Sequence, residues 1–185
     1  KRSNLEVVNY STPINTEMDL NQLKLHLHSI PRHPNWIPYV TSYYKENWGF
    51  CLEDTKKKSL INGKYKVVID SELRDGFVEY GYYYLRAKRN ETRKVVMLSS
   101  YFCHPSLANN ELSGPIIQAA LFDRISKWKD RKYDYLFVIN PETIGSICFL
   151  HKHGLELQNS LVGGFVLTCL GGPNQKLSYK KSRKG

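Results

Sequence analysis

Three residues that can bind a metal ion follow two buried strands predicted from the sequence. His104 comes after an apolar run that begins at Val95, Glu111 lies shortly beyond it, and Glu142 comes directly after the next apolar run. An imidazole nitrogen with one or two carboxylate oxygens is a ligand set of catalytic zinc, which keeps a position open for water. A nearby free carboxylate can take the proton of that water. The pattern therefore permits a hydrolytic metal site.

The elements between residues 95 and 170 must position these three side chains. Two apolar runs predict strands buried on both faces, Val95–Leu98 and Tyr133–Asn140. The pattern also predicts a helix capped at Ser113–Pro115, with Ile117, Leu121, Ile125 and Trp128 on one face, a helix over Ile144–Lys152 and a third strand over Val162–Leu170.

This order of strands and helices predicts right-handed crossovers and a largely parallel sheet between helices. Ligands bind beyond the carboxyl ends of such strands. His104, Glu111 and Glu142 are therefore expected to meet at one edge of the sheet.

Simpler interpretations compete with the metal site. A histidine after a strand is often a hydrogen-bonded loop residue, and a glutamate at a helix start is favourable with the helix dipole. The pairs His26/His28 and His151/His153 are weaker candidates, because side chains two positions apart on a helix point in different directions. Acyl transfer through serine is not expected, since the sequence has no Gly-x-Ser-x-Gly elbow.

The first 60 residues follow a different pattern. Asp19 and Gln22 resemble a capping box, and apolar residues at helical spacing predict a helix that continues to Ile30, before Pro31. An irregular segment rich in proline and aromatic residues follows over Pro34–Leu52. Two strands joined through a turn are then predicted, over Tyr65–Asp70 and Phe77–Leu85.

Composition limits the class of protein. With 185 residues, 41% of them hydrophobic and 24% charged, the chain is expected to fold as one domain with a small additional module. The net charge is +10, and the basic residues concentrate beside predicted turns and at the terminus. Such runs are typical of solvated faces, so we do not expect nucleic-acid binding. The four cysteines form no Cys-x-x-Cys pair, and no apolar stretch reaches the roughly 20 residues of a membrane span. These features predict a soluble, cytoplasmic protein with reduced thiols.

Six strings in the sequence resemble a known family. They are Ile37–Tyr44, Trp48–Leu52, Cys103–Ser106, Ala108–Pro115, Pro141–Ser146 and Ser182–Gly185. The family is that of the bacterial aminopeptidase-like proteins, often encoded among polysaccharide-biosynthesis genes and long carried as a domain of unknown function. The resemblance implies an α/β fold like that of the zinc aminopeptidases, with a phosphorylase/hydrolase-like sheet. Residues 1–65 would be part of a small inserted α+β domain, and residues 66–185 part of the sheet domain.

The resemblance also implies roles for individual residues. His104 matches a metal-binding histidine, Asn110 the position of an acidic bridging residue with Glu111 beside it, and Glu142 one of two glutamates that act as general base and metal ligand. The second glutamate is replaced by Pro141. A further acidic ligand would fall near residues 168 and 169, and a last histidine beyond residue 185.

The resemblance thus implies an aminopeptidase-like metallohydrolase that binds one zinc ion and acts on a peptide or aminoacyl substrate. The residues present would leave the site impaired or incomplete, and the chain is expected to be a fragment of a longer protein. The alternative is a non-catalytic binding or scaffold module linked to polysaccharide biosynthesis.

Overall fold

A computed structural model describes residues 6–42, 44–88, 93–104, 107–172 and 176–182. The chain divides into two compact units, the first ending at Gly76 and the second beginning at Phe77. The elements of the first unit are β1 (Ile14–Asp19), α1 (Leu20–Lys24), β2 (Leu27–His28), β3 (Phe50–Cys51), α2 (Asp54–Lys58) and β4 (Lys64–Ile69). The elements of the second are β5 (Gly81–Leu85), β6 (Val95–Tyr101), α3 (Ala108–Glu111), α4 (Ser113–Ser126), β7 (Asp134–Asn140), α5 (Ile144–Ser160) and β8 (Leu161–Val166).

The first unit contains two small sheets around one apolar cluster. β1 pairs with β4 antiparallel, and β2 pairs with β3 parallel. The buried side chains of the cluster are Leu23, Leu27, Leu52 and Val67. Because β4 pairs with β1 along its whole length, residues 66–69 lie in this unit. The boundary expected from the sequence, after residue 65, would place them in the sheet domain. The origin of the unit as an inserted domain stays a prediction.

The helix predicted up to Ile30 is wrong beyond its first turns. α1 ends at Lys24, and Leu27 instead pairs with Phe50 in the β2–β3 ladder. Asp19 stands at the N-cap position without a capping hydrogen bond from its side chain. Leu27 is buried in the observed strand, and the helical spacing also predicts its burial, so the apolar spacing alone could not distinguish the helix from the strand.

The second unit has the predicted parallel sheet. Its strand order is β5-β7-β6-β8, with β6 parallel to both β7 and β8 and with β5 antiparallel at one edge. The strands β6 and β7 are interior, as their apolar runs predict. The two strands expected to be joined by the turn at residues 74–76 do not pair, because β4 lies in the first unit and β5 pairs with β7.

Helices cover both faces of this sheet, as the alternation of side chains along β7 demonstrates. Leu136 and Val138 pack with Phe149 of α5, whereas Phe137, which points the opposite way, packs with Ile125 of α4. The prediction of a sheet between helices is therefore confirmed. α4 ends before Trp128, and β8 ends at Val166, four residues before the predicted end of the third strand.

Two glycines, Gly114 and Gly145, let the first turns of α4 and α5 lie close to the ends of strands. A Cβ atom at Gly114 would collide with the carbonyl oxygen of Leu167, just after β8. A Cβ at Gly145 would lie 2.5 Å from Pro141 Cδ and 2.9 Å from Asn140 Cβ, at the end of β7. Glycine lets each helix pack against the chain at these points, which explains why Ser-Gly-Pro and Ile-Gly-Ser accompany the candidate residues in sequence.

Candidate functional site

His104 lies between two carboxylates at the carboxyl edge of the sheet. Its Nδ1 is 2.7 Å from Glu111 Oε1, and its Nε2 is 3.5 Å from Glu142 Oε2. His104 follows β6, Glu111 ends α3 and Glu142 follows β7. The structure thus brings together all three residues that the strand order predicts to meet.

The two carboxylates have different environments. Only 4% of the Glu111 side chain is exposed, against 46% for Glu142. Glu111 Oε2 accepts hydrogen bonds from the backbone N–H groups of Cys103 and His104, the second at 2.8 Å, while its Oε1 contacts the imidazole. Glu111 therefore fixes both the backbone and the ring of His104, whereas the Glu142 carboxylate faces solvent on the other side of the ring.

Cys103, which is not among the residues predicted for the site, contacts His104, Glu111 and Glu142. Its Sγ lies 3.4 Å from His104 Nδ1 and accepts a hydrogen bond from the Glu142 N–H at 3.1 Å. Atoms of Cys103, His104 and Glu111 that could bind a metal ion all lie within 4.8 Å of one another. Burial raises the pKa of the Cys103 thiol, and the hydrogen bond from the Glu142 N–H offsets this increase only in part. The raised pKa favours the neutral SH form.

The backbone turns sharply just after Glu142, at Thr143. Thr143 has φ 60° and ψ −72°, and the N–H of Ile144 donates to the Glu142 carbonyl at 2.7 Å. These values describe a γ-turn, a conformation that a threonine adopts at a cost on the order of 1–3 kcal/mol. The turn and the Cys103 sulfur together fix the direction in which Glu142 leaves the end of β7.

Asn110 belongs to a second polar group next to this cluster. Its Nδ2 donates to the Tyr101 hydroxyl at 3.1 Å and to Cys169 Sγ at 3.6 Å, and Tyr101 Oη is 2.6 Å from Thr168 Oγ1. Asn110 Oδ1 is buried and has no hydrogen-bond partner among the described residues. No described contact joins Asn110 directly to His104. Thr168 and Cys169 occupy the positions at which the resemblance implies an acidic ligand, and they supply a hydroxyl and a thiol.

Tyr101 connects these two groups of residues. Its ring is nearly perpendicular to the His104 ring, with centroids 6.4 Å apart, while its hydroxyl joins Asn110 to Thr168. Burial raises the pKa of Tyr101, and the negative charge of Glu142 raises it further against the opposing effect of the Thr168 hydrogen bond. The phenol therefore stays protonated and able to donate.

Beside the cluster lies a cavity of about 560 Å³, lined by Phe102, Cys103, His104, Leu107, Ala108, Glu111 and Leu112. The residues between His104 and Leu107 lie outside the described ranges.

The histidine pairs that were weaker candidates have other contacts. His26 stacks on Trp48 with ring centroids 3.7 Å apart, and His153 packs among aromatic rings. In the part of the chain that the structure describes, no helix combines the length and apolar character that crossing a bilayer requires.

The fold is that of an α/β domain with a mostly parallel sheet between helices. Its structure is similar to the crystal structure of a "putative peptidase" from Clostridium acetobutylicum, with a TM-score of 0.83 and 45% identity over 91% of this chain and 39% of that chain. Residues 2–185 match the family described as Domain of unknown function (DUF4910), and the chain belongs to that family.

A curated relative confirms the resemblance stated from the six strings. It is a "Putative polysaccharide biosynthesis protein with aminopeptidase-like domain" from Clostridium acetobutylicum, 44% identical over all 185 residues of this chain. Those residues correspond to 41% of that relative. The chain therefore spans about two fifths of the length of the proteins it matches.

Proposed function

We propose that this chain supplies part of the active site of a metal-dependent hydrolase of the aminopeptidase type. The observation that carries the proposal is the position of His104, with Nδ1 held by a buried carboxylate at 2.7 Å and Nε2 facing a half-exposed carboxylate at 3.5 Å. A histidine that binds a metal ion commonly donates its other ring N–H to a carboxylate, which fixes the ring and its tautomer. His104 has this arrangement.

Glu111 then acts as a positioning residue and not as the metal ligand expected from the sequence. Both of its oxygens are already engaged, Oε1 by the His104 ring and Oε2 by two backbone N–H groups. These three hydrogen bonds occupy three of the roughly four lone-pair positions of the carboxylate, so Glu111 has less capacity left for a metal ion than Glu142 has. Glu142 lacks this constraint and is the carboxylate that we assign to the metal or to proton transfer.

The second polar group contains one more atom that is available to a ligand. Asn110 Oδ1 is a buried acceptor without a partner among the described residues, and a metal ion or an N–H donor would satisfy it. Zinc bound by His104 and Glu142 would polarise a substrate carbonyl and make water a stronger nucleophile. The chain's own contribution is the Nε2 lone pair of His104, the Glu142 carboxylate as proton acceptor and Glu111 as the support of the imidazole. Catalytic zinc has three protein ligands, so a further ligand must join His104 and Glu142.

The substrate and the biological setting are inferred from the relatives. The name of the curated relative combines an aminopeptidase-like domain with polysaccharide biosynthesis. We therefore propose a peptide or aminoacyl substrate and a role in that biosynthesis. We also propose a cytoplasmic location, which the four free cysteines support. The second candidate, a binding module without catalysis, is favoured by Asn110 and Pro141, which stand where the resemblance implies an aspartate and a glutamate.

Zinc titration by calorimetry, with elemental analysis, tests the proposal. We expect one zinc ion per chain for the wild type and none for His104→Ala. His151→Ala is the matched control, because His151 is exposed on α5 outside the cluster. Zinc that remains in His104→Ala, or a wild-type chain that binds none at neutral pH, would contradict the metal site. Binding of an aminoacyl amide by a metal-free chain would then support the module instead.

A further inference from the structure

A groove of about 990 Å³ opens next to the candidate site. Phe102 and Pro141 line it, and each immediately precedes a residue of the site, Cys103 and Glu142 respectively. From there the groove runs along the start of β5. Its volume lies at the upper end of the roughly 300–1,000 Å³ that ligand pockets occupy. The groove is therefore large enough for a ligand that reaches His104 and Glu142 at one end.

Two tyrosines in the groove are held firmly by α5. The Tyr80 ring meets Phe149 edge-on at 5.4 Å, and its hydroxyl is 3.4 Å from His153 Nε2. The Tyr82 ring lies 4.9 Å from the ring of His153. Tyr82 is nevertheless 48% exposed, so much of its ring faces solvent. A fixed, exposed ring can bind a ligand with little loss of side-chain entropy.

The charged residues that line the groove indicate a ligand without net charge. Among the lining residues there is one carboxylate, Glu79, and one ammonium group, Lys152, and both are exposed. Phosphate-rich ligands such as nucleic acids require clusters of Lys and Arg, which this lining lacks. A neutral ligand fits this balance better than an anionic or cationic one.

The other lining residues combine aromatic rings and aliphatic side chains with the phenol hydroxyl groups of Tyr80 and Tyr82 and the amide of Asn140. A tyrosine offers an apolar ring face for C–H groups and a polar tip for hydrogen bonds. A sugar ring has the matching surface, with C–H groups on one face and hydroxyl groups around its rim. We propose that this groove binds a neutral saccharide unit, stacked on Tyr82 beside the ends of β6 and β7. If the proposed hydrolase function holds, on which this last step rests, the substrate of that hydrolase carries a saccharide unit that binds in this groove.

Saturation-transfer difference NMR tests the groove with three probes, maltotriose, cellotriose and chitotriose. We expect transfer to at least one of them, with binding weakened about fivefold or more in Tyr82→Ala because the stacking ring is lost. Tyr83→Ala is the matched control. Tyr83 is the next residue of β5 and is 57% exposed, but it packs against Phe122 of α4 on the other face of the sheet. The control variant should bind as the wild type does.

Two results would overturn the groove assignment. One is the absence of transfer from the wild-type chain to all three trisaccharides, and the other is an equal loss in Tyr82→Ala and Tyr83→Ala. The same measurement in His104→Ala separates this inference from the proposed function, because His104 does not line the groove. Saccharide binding that persists in this variant supports the groove whatever the zinc titration gives, whereas zinc binding without saccharide binding contradicts the groove alone.

Discussion

Replacement of Glu111 by glutamine tests the role of this carboxylate in holding His104. In the wild type, Glu111 accepts from the His104 ring through Oε1 and from two backbone N–H groups through Oε2, with 4% of its side chain exposed. Glutamine has the same shape but only one oxygen. If that oxygen stays with the two backbone groups, the new NH₂ group faces His104 Nδ1.

This NH₂ group can be accommodated only if the imidazole changes its tautomer. Nδ1 must then accept a hydrogen bond, so the proton moves to Nε2 and removes the lone pair that faces Glu142. The number of hydrogen bonds is kept, but their charge-assisted character is lost, so we expect a decrease of about 1–2 kcal/mol in the free energy of unfolding. Zinc affinity should fall by about 10–100-fold, the usual effect of removing the partner of a ligating histidine.

Three measurements check this prediction. The ¹⁵N shifts of the imidazole report which nitrogen carries the proton, urea denaturation gives the stability, and calorimetry gives the zinc affinity. Glu111→Ala is the comparison variant, since it leaves the backbone donors without an acceptor and should destabilise the fold more than Glu111→Gln does. A Glu111→Gln variant that keeps the proton on Nδ1 and binds zinc like the wild type would refute the positioning role.

Three further outcomes are expected. Gly114→Ala should lower the free energy of unfolding by about 1–3 kcal/mol, because its Cβ would meet backbone after β8, whereas Gly154→Ala in α5 meets nothing within 4 Å and should be neutral or stabilising in thermal unfolding. Arg131→Met should cost about 1–2 kcal/mol in urea, since its guanidinium donates to three carbonyls at the end of α4. Hydrogen bonds from Lys58 and then Ser29 lower the pKa of Asp54, so Asp54→Asn should destabilise the chain at neutral pH, and the difference from wild type should vanish as pH falls through the native pKa.

The sheet domain was the most predictable part of the chain. The runs at Val95 and Tyr133 are apolar without alternation, and only strands buried on both faces require this. Their positions in the middle of the sheet follow from the same property. The third strand was predicted correctly as a strand, β8, but every residue of β8 is exposed. Its apolar composition therefore did not indicate its position at the edge of the sheet.

The meeting of His104 with Glu111 and Glu142 follows from the topology, because parallel strands end at one edge. Which nitrogen faces which carboxylate does not follow from sequence. That depends on hydrogen bonds from the backbone of residues 103 and 104 to Glu111, and no spacing rule encodes them. Cys103 was overlooked for a similar reason, since its contact with the Glu142 N–H arises only when β6 and β7 lie side by side.

The hydrogen bonds of Glu111 also bear on the order in which the chain folds. Glu111 lies seven residues from His104, so closing this loop costs little chain entropy and needs no other strand. The link between Cys103 and Glu142 spans 39 residues and requires β7 to be in place. Contacts that are close in sequence form sooner than distant ones. The half of the site around His104 can therefore form early, as a local loop, and the Glu142 half must wait for the sheet.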